Sequence, residues 1–282
     1  MWPNETLRRV AISVMIAAAW FGIASCTPKS QVITVRACIV EGARSPVGNN
    51  ATLAADAVAR ASEIWQQGAI GFVTPPQTRH IPDPESALGK AGDIRIQNRS
   101  GFGSLENEAL VNSCVDAWKD YAPNRQPGFT VVFIREFITD DELPLADAGI
   151  SPDLSKAFNE NRVGMCNKPY DVRTFDVYGR WSVIETVKDN LPKTAELVAA
   201  TLAHELGHNL MLGHGDGVDQ DGDGLWDEYC SSETAQSPPD ILDLSKRNLM
   251  QKVSGASFGI TSLQAERARA AADALTRVGL AN

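Results

Sequence analysis

His204-Glu205-Leu206-Gly207-His208-Asn209-Leu210-Met211-Leu212-Gly213-His214 gathers three of the chain's four histidines into one short stretch. The residues leading into it read as a helix. Thr194 suits an N-cap, Glu196 suits the positive end of the helix dipole, and Val198, Leu202, Leu206 and Leu210 recur at helical spacing. On such a helix His204 and His208 lie one turn apart on one face, away from the apolar stripe, so their imidazoles can converge on a single ion. Gly213 lets the chain bend after the helix, which allows His214 to return as a third nitrogen ligand. Three nitrogens leave one position of a zinc ion (Zn2+) open to water, as a catalytic site requires and a closed structural site does not. Glu205 directly follows the first ligand and is placed beside that water as a general base, without being a ligand itself. A pair of ordinary core histidines would explain neither Glu205 nor His214.

This stretch is similar to the long zinc signature of the metzincin metalloproteases, H-E-x-x-H-x-x-G-x-x-H. Met211 stands where that signature has glycine, and Gly213 is the residue expected to take over the bend. Asn248-Leu249-Met250 resembles the methionine turn that lies beneath the metal in that family, which makes Met250 a structural residue of the site. Lys252 occupies the position where the astacin and serralysin branches carry a tyrosine, so no tyrosine ligand is expected there. The resemblance implies an α+β fold with a mixed twisted β-sheet, a zinc-binding active-site helix, a Met-turn and a C-terminal helix. It also implies a zinc-dependent endopeptidase acting on a protein or peptide substrate, which would lie extended along an edge strand formed before Trp181.

Beyond His214 the chain reads Asp219-Gln220-Asp221-Gly222-Asp223-Gly224-Leu225-Trp226-Asp227-Glu228, which matches the D-x-D-x-D-G opening of a calcium loop. Asp219, Asp221, Asp223, the carbonyl of Leu225 and Asp227 are the candidate ligands for Ca2+. Cys230 stands where an EF-hand has its bidentate glutamate, so the loop is not a complete EF-hand. Calcium here would be structural and would brace the segment that follows His214. The plainer alternative is a solvated acidic loop.

Near its start the chain carries Arg8 and Arg9, then an apolar run from Val10 to Ala24, short for a membrane span and suited to a signal peptide. Ile23-Ala24-Ser25-Cys26 resembles the box at which bacterial lipoproteins are cleaved and lipidated. The expected organisation is a signal peptide at 1–25, a lipidated tether at 26–30 beginning with Cys26, and a single metzincin-like domain over 31–282. The chain is then exported and held on a bacterial membrane by its N-terminal lipid, with Thr27 directing it to the outer membrane. Cys38, Cys114, Cys166 and Cys230 remain, an even number in an oxidising compartment, and read as two disulfides with three pairings open. A formal net charge of -9 argues against a nucleic-acid partner, which would require a basic surface.

The remaining elements follow from pattern. Ile33 to Ile39 alternates as a half-buried strand, and 52–67 is helical with Gly68 placed for a C-cap. Residues 70–73, 94–97, 129–137 and 181–187 read as strands, 105–121 as a helix, and the proline-rich 75–92 as a surface loop with His80 solvated in it. Thr261 and Gln264 have capping-box spacing at the head of an alanine-rich final helix that Gly279 ends. A rival reading from another class is a surface lipoprotein or adhesin that binds metal without catalysis. Glu205 weighs against it, since a purely structural zinc site has no need of that carboxylate.

Overall fold

Strand β1 (Gln31–Val40) changes character along its length: the first residues alternate between buried and accessible, while Ala37 to Val40 are all buried. The second half contributes to a core on each face of the sheet, with Ile39 on one side and Cys38 and Val40 on the other. The computed structural model describes residues 30–45, 49–83, 93–96, 105–120, 128–139, 149–150, 180–188, 190–210, 212, 247–250 and 258–277. Along one edge of β1 lie β2 (Ile70–Val73) and then β3 (Arg79–Ile81), both parallel to it. The ribbon partner β4 (Asp93–Ile96) follows in the chain. Along the other edge of β1 lies β5 (Phe129–Ile134), parallel, with Val35 opposite Phe129.

After β5 the chain bends at Arg135 and pairs as β6 (Glu136–Thr139) with β4, so the expected single strand over 129–137 is two. The bend is held by Arg135 itself. Its guanidinium is buried, 2.7 Å from the Asn190 side-chain oxygen and 3.4 Å from the Glu136 carboxylate. Among the described residues two-residue β7 (Gly149–Ile150) is the last strand of the main sheet on this side, antiparallel to β8 (Trp181–Glu185), and β8 runs parallel to β5. The sheet is therefore mixed, parallel except at that edge.

Helix α1 (Leu53–Trp65) and two later helices, α3 (Ala195–Asn209) and α4 (Ser262–Arg277), pack on one face, and α2 (Leu105–Ala117) packs on the other. Every residue of β5 is buried, as expected of a parallel strand covered on both sides. Phe129, Val131 and Phe133 join the core of α1, α3 and α4, while Val132 and Ile134 join that of α2. Cys38 and Cys114 form a disulfide between β1 and α2. Of the three open pairings that selects the one joining Cys38 to Cys114, and Cys166 and Cys230 lie outside the described residues.

Local signals place the helix ends. Thr194 Oγ1 accepts the Leu197 N–H at 3.2 Å, capping α3. At α4, Thr261 N–H donates to Gln264 Oε1 at 2.9 Å while Gln264 N–H donates to Thr261 Oγ1 at 3.1 Å, a reciprocal capping box. The end of α1 differs from expectation. The left-handed residue there is Ala69 (φ 57°), not Gly68, and a Cβ on Gly68 would stand 2.9 Å from the Ile260 side chain. Gly68 is small so that the segment entering α4 can approach.

The 75–92 stretch also differs, because Arg79–Ile81 is a strand and not loop; its partner on β1 is remote in sequence. A short hairpin of β9 (Val187–Lys188) and β10 (Leu191–Pro192) leads into α3, and β11 (Arg247–Asn248) pairs with β12 (Phe258–Gly259) before α4. No helix among the described residues is long and apolar enough to cross a membrane.

Candidate metal centre

Helix α3 is buried around most of its circumference. Val198, Leu202, Leu206 and Leu210 reach the core as their spacing predicts, and Ala199, Ala200, Ala203, Gly207 and Asn209 are enclosed as well. Trp65 on α1 donates its indole N–H to the Ala203 carbonyl at 2.9 Å, fixing the two helices to each other beside the histidines. His204 and His208 share a face, with rings edge to face and centroids 4.7 Å apart.

The outer nitrogen of each ring is committed to a backbone carbonyl. His204 Nδ1 is 2.7 Å from Leu249 O, and His208 Nδ1 is 2.7 Å from Leu212 O. A carbonyl oxygen only accepts, so each Nδ1 carries its proton and, in a neutral ring, each Nε2 is left with a lone pair. Those two lone pairs face each other, Nε2 to Nε2, across 3.1 Å. Two acceptors at that distance repel unless a cation or a proton stands between them. Two nitrogens that each bind zinc at about 2.0–2.1 Å in near-tetrahedral geometry are separated by roughly 3.3 Å, so the pair fits such an ion. Nitrogen donors held by outer hydrogen bonds are also what imidazole-binding metals select.

Glu205 completes the cluster. It is 5 % exposed, and one of its carboxylate oxygens lies with the two histidine nitrogens within a mutual 4.8 Å. Beneath the helix is Met250, fully buried. Its thioether is packed so closely on Gly207 that a Cβ there would meet the sulfur at 2.5 Å and the Trp65 ring at 3.2 Å. The Leu249–Met250 segment is itself held by β12, since Leu249 N–H donates to Gly259 O at 2.8 Å. One short segment thus supplies both the sulfur under the helix and the carbonyl that orients His204.

The structure brings together His204, Glu205 and His208, with Met250 below. His214, Met211, Gly213, the candidate calcium ligands Asp219, Asp221, Asp223, Leu225 and Asp227, and the lipid-anchor residue Cys26 lie outside the described residues. Sequence reading missed the carbonyls of Leu249 and Leu212, which any residue at those positions would offer. It also missed Asn209, fully buried and bonded to Ser182 Oγ at 2.6 Å. A polar residue interrupting the buried side of a helix was the available signal.

No family model matches the chain, and no curated protein does. Among solved structures it is similar to a mutant promirolysin of Tannerella forsythia, with 12 % identity and a TM-score of 0.45 over 98 % of this chain and 94 % of that one. An overlap of that quality adds nothing to the site, whose chemistry rests on its own geometry.

Proposed function

We propose that the chain is a zinc-dependent endopeptidase, exported and held at a bacterial membrane by lipid on Cys26. The observation that carries the catalytic part is the pair of Nε2 atoms facing each other at 3.1 Å, both rings locked from behind, with the buried Glu205 carboxylate in the same cluster. His204 and His208 would hold the ion, and His214 is the third ligand that the sequence spacing offers. Zinc bound there supplies a Lewis acid that acidifies water and polarises a carbonyl.

The chain's own groups do the rest. Glu205 accepts a proton from the attacking water as its oxygen bonds to the scissile carbonyl carbon. It delivers a proton to the amide nitrogen as the C–N bond breaks, so the carboxylate is restored at each turnover. Leu249 and Leu212 hold the two imidazoles in the tautomer that keeps Nε2 basic. Among the described residues β7 is the edge strand beside α3, where an extended peptide would add its backbone to the sheet. Met250 acts as the floor of the centre. The Asp219 to Asp227 run belongs to this reading as a calcium site bracing the chain after His214, and it rests on sequence alone.

Casein hydrolysis by the full chain, with and without a zinc chelator, tests the proposal, with metal analysis of the same sample. One equivalent of zinc, chelator-sensitive cleavage, and loss of cleavage by several orders of magnitude in Glu205→Ala with zinc retained are the expected results. Zinc bound without any hydrolysis would favour the non-catalytic lipoprotein, and unchanged cleavage by Glu205→Ala would remove the base.

A further inference from the structure

We infer that Asn209 is a positioning residue for the metal centre: by bonding Ser182 it fixes the turn whose carbonyl orients His208. The inference rests on the zinc reading above. Asn209 is the last residue of α3, and its Nδ2 donates to Ser182 Oγ on β8 at 2.6 Å, with both side chains fully buried. Helix ends fray because their last carbonyls lack partners within the helix. At this end Leu210 and Leu212 bond back to the last turn. Leu210 N–H reaches Leu206 O at 2.9 Å and Gly207 O at 3.0 Å, and Leu212 N–H reaches Gly207 O at 3.0 Å. Leu212 O then takes the Nδ1 proton of His208 at 2.7 Å. The sheet holds Asn209, Asn209 holds the turn, and the turn sets the ring.

A second observation separates positioning from plain stabilisation. Asn209 Oδ1 is buried and has no hydrogen-bond partner among the described residues. Burying an unpaired amide oxygen costs stability and offsets what the bond to Ser182 contributes, so the net contribution of Asn209 to the fold is small. Groups that lower stability in a well-packed interior are concentrated where function needs them. His204 gives the contrast within the same centre, because its ring is set by Leu249, which β12 holds, and not by the end of α3.

The test compares the full-length wild type with Asn209→Leu and Ser182→Ala. Three quantities are read: zinc affinity by chelator competition, the visible absorption of the cobalt-loaded protein, and the Tm of the metal-free protein. Both variants are expected to bind zinc about ten-fold or more weakly, in line with the loss of outer hydrogen bonds around metal ligands. The cobalt spectrum should change in both, while the metal-free Tm of Asn209→Leu stays close to that of the wild type. Wild-type zinc affinity and cobalt spectrum in Asn209→Leu overturn the inference alone. So does a weakened affinity accompanied by a lowered metal-free Tm in both variants, which marks a fold-wide role. If Asn209→Leu does not fold, Ser182→Ala decides by the same criteria. A wild-type chain that takes up no zinc overturns the metal reading, and this inference with it.

Discussion

Gly207 and Met250 are in such close apposition that a single added methyl group on the glycine would stand 2.5 Å from the methionine sulfur. The contact joins the middle of α3 to a segment more than forty residues further along the chain. The Trp65 ring is also within 3.2 Å of the same point, so both neighbours would have to give way.

Gly207→Ala is therefore expected to cost about 1–3 kcal/mol through overpacking, read as a fall in the denaturation midpoint. Zinc affinity should fall with it, because Leu249, next to Met250, orients His204. The cost should shrink in a Met250→Ala background, since the atoms that clash are gone. Equal costs in the two backgrounds would show that the contact is not what matters.

Glu185 and Lys193 form a buried ion pair at 2.7 Å just before α3, with side chains 0 % and 1 % exposed, and Glu185 Oε1 also accepts the Phe137 N–H at 3.2 Å. Lys193→Met leaves that buried carboxylate without its counter-charge, which should cost about 3–5 kcal/mol. Adding Glu185→Gln removes the charge but keeps an acceptor for Phe137, so the double variant should recover most of the loss. Chemical denaturation of the three proteins reads this directly, and a double variant no better than Lys193→Met would contradict it.

With Cys38 and Cys114 joined, the proposed lipid on Cys26 would leave Cys166 and Cys230 for a second bond. Mass spectrometry of a non-reducing digest of the membrane-extracted protein should give a linked Cys166–Cys230 peptide pair and an N-terminal peptide bearing acyl chains on Cys26. Free thiols at Cys166 and Cys230, or an unmodified Cys26, would count against those two assignments.

Those predictions draw on two kinds of information. What the sequence alone determined was local. The Thr194 cap, the Thr261–Gln264 box, the one-turn spacing of His204 and His208 and the apolar run of β5 each depend on residues within a turn or two of one another, where side-chain type and backbone period are enough. What only tertiary structure decided was long-range or carried by the backbone. Strand β3 exists because β1 is there to receive it, Cys38 found Cys114 because α2 lies over that face, and Gly68 is small on account of Ile260. The carbonyls of Leu249 and Leu212 that orient the two imidazoles leave no trace in composition, since every residue has the same carbonyl and only the folded chain determines which one arrives at a given ring.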